Sequence, residues 1–385
     1  MFSFFSKKSA KNNQKNKDNI QVKRPLNNDA QNSEYELVKL VLAVLEQYRS
    51  ETFPNGVLTE SLQQIVESQQ PLILKLVLPF PCAGELVEIS QSLSQQFEQE
   101  ILIVADYHVN SVRGHNIKGV KNIVAISSGK GGVGKSTTAV NLAYALMAEG
   151  ASVGILDADI YGPSIPTMLG LQDAKPDSKD GKLMEPLDAN GLKAMSIGFL
   201  VPDSDATVWR GPMASSAFNQ LLNETNWPEL DYLLIDMPPG TGDIQLTLAQ
   251  KVPVAGATVV TTPQDIALAD AVKGISMFNK VKVPVLGIVE NMSYHICENC
   301  GHEAHIFGCG GGSDIADSYQ VPLLGQLPLD IAIRTDADLG VNTIIENSTG
   351  DIALRYRKIA RNMAAKLYQQ LDMRSVNTPE VVTKN

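Results

Sequence analysis

Apolar and polar residues follow one another in blocks that predict two folded regions. Between residues 34 and 108, "EYELVKLVLAVLEQY" and "ELVEISQSLSQQFEQ" carry apolar residues at helical spacing. The runs "PLILKLVLPF" and "ILIVADYHV" are typical of strands. This pattern predicts a small α+β domain over residues 34–110, followed by a polar linker at residues 111–120.

From residue 121 the pattern changes to a repeat of apolar strand, glycine-rich turn and helix. Near-continuous Val/Ile/Leu runs of this kind belong in a parallel sheet that is covered on both faces. We therefore predict an α/β domain with a doubly wound, mostly parallel sheet over residues 121–372, with ligands at the carboxyl ends of its strands. The candidate strands are "NIVAIS", "SVGILDAD", "YLLIDMPP", "ATVVTTP", "VPVLGIVEN" and "PLLGQLP".

Composition and charge narrow the class of protein. Residues 1–33 are rich in Asn, Lys and Gln and lack apolar periodicity, which predicts a disordered basic tail, and residues 373–385 are expected to form a polar tail. The net charge of −10 argues against nucleic-acid binding. No apolar run approaches the ~20 residues that cross a bilayer, so we expect a cytoplasmic protein without stable membrane association.

The stretch "GKGGVGKST" predicts a phosphate-binding loop between the first strand of the second domain and a helix. Its glycines allow consecutive backbone N–H groups to turn towards phosphates, and the helix N-terminus favours anions. Lys135 supplies a positive charge, and the Ser136 hydroxyl is placed to ligate Mg²⁺. The expected ATP-binding residues are Gly129, Lys130, Gly131, Gly132, Val133, Gly134, Lys135, Ser136 and Thr137.

Three aspartates at strand ends are candidates for the carboxylates that a magnesium nucleotide site requires. Asp236 follows "LLI", and Asp157 and Asp159 end the strand "VGILDAD". We expect Ser136, Asp157 and Asp236 to lie near the magnesium and Asp159 to orient the attacking water.

Cys297 and Cys300 form a C-x-x-C pair on a loop after a predicted strand and are candidates for metal ligands. Two thiolates do not complete a coordination shell. Two chains could each contribute both cysteines to a shared [4Fe–4S] cluster. Alternatively, Cys309, His302 or His305 could complete a tetrahedral zinc site within one chain. A redox disulfide is a third interpretation, although no thioredoxin-like context surrounds the pair.

The phosphate loop, with its additional lysine, resembles the deviant Walker A motif of the MinD/ParA/Mrp class of P-loop ATPases. The resemblance implies that Lys130 reaches across a homodimer interface to the phosphates bound by the other subunit. Lys130, Lys135, Asp159 and Asp236 are then the expected catalytic residues.

Within that class, residues 34–372 are most similar to the Mrp/ApbC iron–sulfur carrier ATPases. The resemblance rests on "DADIYGPSIPTMLG", "WRGPM", "DYLLIDMPPGTGD", "TTPQDIALADA", "GIVENMS", "C-x-x-C-G-H" and "LLGQLPLD". It implies slow ATP hydrolysis and a [4Fe–4S] cluster that bridges two subunits, is received from scaffold proteins and is handed to apo-proteins. It also implies adenine contacts by Asn291 and Pro328 with Asp330 close by. Arg210, in "WRGPM", falls in a motif of the family too, but its chemistry alone indicates no role.

The N-terminal unit resembles the iron–sulfur assembly domain that precedes the ATPase in bacterial members. Cys82, in "PFPCAGE", matches the characteristic cysteine of that domain. The acidic turn expected near the start of the domain is replaced by "SETFPNG", so we expect a buried structural cysteine.

Two other functions fit parts of the sequence. MinD- and ParA-like spatial regulators use the same ATPase module, and "DIALRYRKIARNMAAKLYQQL" superficially resembles a membrane-binding basic helix. We expect it to be the last packed helix of the domain, because no Phe or Trp marks an insertion face. The other alternative is a zinc-stabilised ATPase without a carrier role.

Overall fold

The computed structural model describes residues 28–66, 71–179, 181–200 and 211–375. The contacts divide the chain into two compact units, Met1–Val109 and Asn110–Asn385. The residues predicted as a linker are bonded to the second unit. The Asn122 side-chain oxygen accepts a hydrogen bond from the Val112 N–H, and its amide group donates to the Asn110 carbonyl. The Arg113 guanidinium donates to the Val254 carbonyl.

In the described residues, the N-terminal unit contains a three-stranded sheet and two α-helices. The order is β1-β2-β3, with β1 antiparallel and β3 parallel to the central strand. Strand β1 was not predicted, because "LQQIV" interrupts its apolar residues with two glutamines. The elements are α1 (Asn28–Gln47), β1 (Leu62–Val66), β2 (Leu72–Leu78), α2 (Ala83–Phe97) and β3 (Ile101–Tyr107).

The helices at the two ends of the described chain extend into the predicted tails, residues 1–33 and 373–385. Helix α1 begins at Asn28, so the predicted boundary at residue 34 falls within a helix. The rest of the predicted N-terminal tail, and residues 376–385 of the predicted C-terminal tail, lie outside the described residues.

The second unit contains a mostly parallel sheet, as the apolar runs predict. Its order is β11-β10-β9-β4-β8-β5-β7-β6, and β12 also pairs with β10. Among the described strands of this unit, only β6 and β11 run antiparallel to their neighbours. The strands are β4 (Val120–Ser127), β5 (Val153–Asp157), β6 (Leu187–Ala189), β7 (Leu192–Ser196), β8 (Leu230–Asp236), β9 (Gly256–Thr261), β10 (Val285–Ile296), β11 (Glu303–Ala304) and β12 (Leu323–Pro328).

Burial explains why these segments form strands. All residues of β8 and β9 are buried, which matches a sheet covered by helices and removes the alternation seen in half-exposed strands. Strand β4 lies between β8 and β9, in the middle of the sheet. The loop that follows β4 therefore starts at the carboxyl end of a central strand. In open α/β sheets this is the place where ligands bind.

Helices connect most of these strands. No described helix is long and apolar enough to cross a membrane. The described helices of this unit are α3 (Lys135–Ala148), α4 (Ile165–Met168), α5 (Gly211–Asn223), α6 (Asp243–Lys251), α7 (Asp265–Lys280), α8 (Gly311–Tyr319), α9 (Ile331–Leu339), α10 (Thr343–Glu346) and α11 (Asp351–Ser375).

The last helix packs against α3 and β12. Its apolar side, including Tyr356, Ala360 and Met363, is buried, as expected for a packed helix. Its basic residues also make internal contacts. The Arg357 and Arg361 guanidiniums both donate to the Glu149 carboxylate, which is fully buried at the end of α3, over 2.7 and 3.2 Å.

Removal of this buried carboxylate should destabilise the protein. In Glu149→Ala, two largely buried guanidiniums lose their shared anion, so the free energy of unfolding should fall by about 3 kcal/mol in urea denaturation. Asp338→Ala is the control, because it breaks the exposed pair with Arg334 and should cost less than about 1 kcal/mol. Equal losses in the two variants would contradict this account of α11.

Candidate functional site

The phosphate loop joins the carboxyl end of β4 to the start of α3, as predicted. Gly132 and Gly134 have φ angles of 82° and 80°, in the left-handed region that favours glycine. Gly129 is required for another reason, because a Cβ there would lie 2.1 Å from the Asp270 carbonyl oxygen. Gly131 is exposed, Val133 is buried and Thr137 is half-buried. The backbone of this loop can therefore approach a ligand closely.

Lys135 lies beneath the loop and forms an ion pair with Asp236. The Lys135 ammonium is 2.5 Å from Asp236 Oδ1 and 3.2 Å from the Ser136 hydroxyl. The pair is almost fully buried. Asp236 ends β8, beside β4, and its Oδ2 is buried without a hydrogen bond among the described residues. The predicted lysine, serine and aspartate therefore meet at one point.

Asp157 lies across from Asp236 on the neighbouring strand β5. Its carboxylate accepts hydrogen bonds from the Asp159 N–H at 3.0 Å, the Ser196 hydroxyl at 3.2 Å and the Ile165 N–H at 3.3 Å. Burial, followed by the charge of Asp236, raises the pKa of Asp157. Burial also raises the pKa of the half-buried Asp159.

These residues suit a hard divalent cation. Two buried carboxylates lie on paired residues of neighbouring strands, the Lys135 ammonium bonds one of them, and one oxygen of Asp236 has no partner in the described part of the chain. A cation would satisfy that oxygen and reduce the repulsion. Carboxylate and hydroxyl oxygens are ligands that Mg²⁺ prefers, so Ser136, Asp157 and Asp236 could hold it directly or through water.

Lys130 lies in a different environment from Lys135. Its side chain is exposed and forms no ion pair among the described residues. The Ser128 hydroxyl donates to its backbone carbonyl at 2.8 Å and so fixes the loop at this residue. The two lysines of the motif therefore face different surroundings, one inside the site and one in solvent.

Two residues that the sequence did not indicate, Gln245 and Ser196, also support the site. The buried Gln245 amide donates to the Ser127 hydroxyl at 2.5 Å and to the Pro238 carbonyl at 3.3 Å. It thereby joins the end of β4 to the "PPGTGD" segment after β8. Ser196, which bonds Asp157, ends the unpredicted strand β7.

The expected adenine contacts are divided between two places. The buried Asn291 amide donates to the Val133 carbonyl at 2.9 Å, so Asn291 lies under the phosphate loop. Pro328 and Asp330 line a cavity of about 360 Å³ together with Thr343 and Gly350. The Asp330 carboxylate accepts the Ala332 N–H and caps α9. Their contact with adenine stays a prediction, and Arg210 lies outside the described residues.

Cys297 and Cys300 lie at the turn of the hairpin that β10 forms with β11. The Cys297 N–H donates to the His302 carbonyl at 3.0 Å, and the Gly301 N–H donates to the Cys297 carbonyl at 2.8 Å. Gly301 allows this turn with a φ of 71°. Cys297 is half-buried and Cys300 is exposed. Hydrogen bonds from the Asn299 and Cys300 backbone lower the pKa of the Cys297 thiol, which favours the thiolate.

No third side chain completes a metal site with this pair in the described ranges. Among the described residues, no group of three or more His, Cys, Asp or Glu is arranged to hold a metal ion. His305 instead donates from Nδ1 to the Ser293 carbonyl at 3.0 Å, and Cys309 is exposed. Cys82 belongs to the other unit, where it is fully buried at the start of α2, as expected for a structural cysteine.

Comparisons with known proteins show which family this chain is similar to. The profile of a family described as "ParA: NUBPL iron-transfer P-loop NTPase" matches residues 119–364. The "Iron-sulfur cluster carrier protein" of Escherichia coli strain K12 is 53% identical over 343 residues, which cover 86% of this chain and 92% of that protein. The "Iron-sulfur cluster transfer protein NUBPL" of Mus musculus is 49% identical over 253 residues, which cover 65% and 79%.

A solved structure shows the same fold with a bound nucleotide. It is a nucleotide-binding protein from Archaeoglobus fulgidus in complex with ADP. It is 41% identical, has a TM-score of 0.52, and covers 58% of this chain and 88% of its own. The range that the family profile matches contains the phosphate loop, the three aspartates and the thiol pair.

The buried carboxylate pair predicts a pH dependence of stability. Because the pKa of Asp157 is raised in the folded protein, its stabilising contribution is complete in acid. That contribution is lost as the pH rises from about 4, the usual pKa of aspartate, towards neutrality. Without nucleotide, the wild type should therefore lose free energy of unfolding relative to Asp157→Asn over this interval. Denaturant titrations at several pH values test this, and parallel curves for the two proteins would contradict it.

Proposed function

The chain belongs to the ParA/NUBPL family of iron-transfer P-loop NTPases, and we propose that it is an ATPase that carries an iron–sulfur cluster to apo-proteins. The observation that carries the proposal is the C-x-x-C hairpin, which offers two cysteines in the same unit as a phosphate loop. Relatives named as iron–sulfur cluster carrier and transfer proteins support it.

ATP would bind with its phosphates against the loop backbone and the Lys135 ammonium. Ser136, Asp157 and Asp236 would hold Mg²⁺, which supplies charge neutralisation for the phosphates. Asp159, two residues beyond Asp157, would orient the attacking water. Asn291 and the segment from Pro328 to Asp330 would contact the adenine. We expect slow hydrolysis that is coupled to loading or transfer of the cluster, because a switch must hold its nucleotide.

Lys130 supports a homodimer. Its ammonium is exposed, whereas Lys135 already occupies the position beside Asp236 and Ser136. A cation outside its own site can serve the phosphates of a second copy, so ATP would hold two chains together. A linkage of this kind requires that the two states of the dimer differ in their affinity for ATP.

The dimer would also complete the metal site. Iron–sulfur clusters are generally held by four cysteines, and each chain offers Cys297 and Cys300 at a turn. A [4Fe–4S] cluster bridging two such turns would be bound by the half-buried Cys297 and the exposed Cys300 of each chain, at a surface turn that suits release to another protein. Scaffold proteins would supply the cluster and apo-proteins would receive it. A cytoplasmic setting suits the exposed thiols, since that compartment keeps thiols reduced. The net charge of −10 argues against nucleic acid as a partner.

The cluster site can be tested by anaerobic reconstitution with iron and sulfide. We expect the wild type to retain about four irons and four sulfides per two chains, as a bridging [4Fe–4S] cluster requires. Cys297→Ser/Cys300→Ser should retain neither, because both cysteines of each chain, and so all four ligands of the bridging cluster, are lost. Cys309→Ser is the matched control and should behave like the wild type. Equal iron in the double variant and the wild type would contradict the carrier function.

A zinc site within one chain gives a different result in the same experiment. The purified protein would then contain zinc in place of iron, and Cys309→Ser or His302→Ala would remove it. That outcome would replace the carrier by a zinc-stabilised ATPase.

A further inference from the structure

Strand β10 reaches from the nucleotide site to the thiol pair. Its first half lies in the sheet beside β9, and its last residue, Ile296, precedes Cys297. Between these parts the pairing with β12 becomes irregular. Glu290 pairs with Gln326 and Tyr294 pairs with Pro328, so β10 uses two more residues than β12 over the same stretch. We call Asn291–Ser293 the β10 bulge.

The bulge contains a backbone conformation that is costly for its residue type. Met292 has a φ of 56°, in the left-handed region that residues other than glycine rarely adopt. The Ser293 hydroxyl donates to the Glu290 carbonyl at 2.8 Å and so closes the bulge. Conformations of this kind persist only where surrounding contacts impose them, and they concentrate at functional sites and switch regions.

One set of contacts fixes the bulge to the phosphate loop. The Asn291 amide donates to the Val133 carbonyl, and a Cβ on Gly134 would lie 2.2 Å from the same Asn291 nitrogen. The Met292 methyl group would lie 3.7 Å from that Cβ. The loop therefore cannot change its path at residues 133 and 134 without moving the bulge.

A second set of contacts fixes the bulge to the hairpin. On one arm the chain continues from Ser293 along β10 to Cys297. On the other arm, His305 follows β11 and donates from Nδ1 to the Ser293 carbonyl at 3.0 Å. The bulge is thus connected to both sides of the turn that presents the thiols.

We propose that the β10 bulge couples nucleotide binding at the phosphate loop to the position of Cys297 and Cys300, with Asn291 and Met292 as positioning residues. Phosphate binding rearranges the loop backbone, Asn291 transmits the displacement, and the strained Met292 changes conformation with it. The hairpin then moves because one of its arms continues from the bulge and the other is hydrogen-bonded to it through His305. The biological role of this coupling rests on the proposed function. There, the bound nucleotide would control how Cys297 and Cys300 hold the cluster.

The coupling can be measured without a cluster. In the reduced full-length chain carrying Cys309→Ser, the alkylation rate of Cys297 and Cys300 by N-ethylmaleimide is followed by mass spectrometry with and without saturating Mg²⁺ and ATPγS. We expect the nucleotide to change the rate by about five-fold or more, the usual lower range for coupled sites. In Asn291→Ala and Met292→Gly the ratio of the two rates should approach one, and saturation is checked for each variant by nucleotide titration.

Gln320→Gly is the matched control. Gln320 also has a left-handed φ, of 54°, but it ends α8, so its replacement relieves the same kind of strain outside the bulge and should keep the full ratio. The proposal is overturned if nucleotide leaves the parental rate unchanged, or if Met292→Gly keeps the parental ratio. Because alkylation requires no iron, either result is distinct from failure of the carrier function, which iron and sulfide content reports.

Discussion

The buried contact between Lys135 and Asp236 is the interaction on which the rest of the structure depends. It fixes the start of α3 to the end of β8, and so places the phosphate loop over the centre of the sheet. Asp157 adds a second buried carboxylate beside it, which one ammonium does not balance. The remaining negative charge supports the proposal that the site takes a divalent cation together with its nucleotide.

The position of the thiol pair also depends on this sheet. Strand β10 runs two places from β4 in the sheet, passes under the phosphate loop at Asn291 and ends at the C-x-x-C turn. The nucleotide and thiol regions are therefore parts of one continuous structure. Lys130 is exposed, and Cys297 and Cys300 make half of a cluster's usual ligand set. In the proposed dimer, a second copy would add a lysine to the nucleotide site and two cysteines to the cluster.

The sequence predicted those features that depend on local pattern. Strands such as β8 and β9 are fully buried apolar runs, and the glycine-rich loop has its own strict spacing, so both were recognised directly. Strands β1 and β7 were missed because polar residues interrupt short apolar segments. Gln245 could not be foreseen, since glutamine is usually exposed and only tertiary packing brings its amide to Ser127. No residue pattern predicts the left-handed backbone conformation of Met292.

In the proposed function, nucleotide joins two chains and brings their thiol pairs to one cluster. Native mass spectrometry of the anaerobically reconstituted protein with Mg²⁺ and ATPγS tests it most directly, because it counts chains, nucleotides and metal atoms in a single particle. The account predicts a particle of two chains with two nucleotides and one [4Fe–4S] cluster. A single chain that keeps its metal, whether zinc or a cluster, would contradict it.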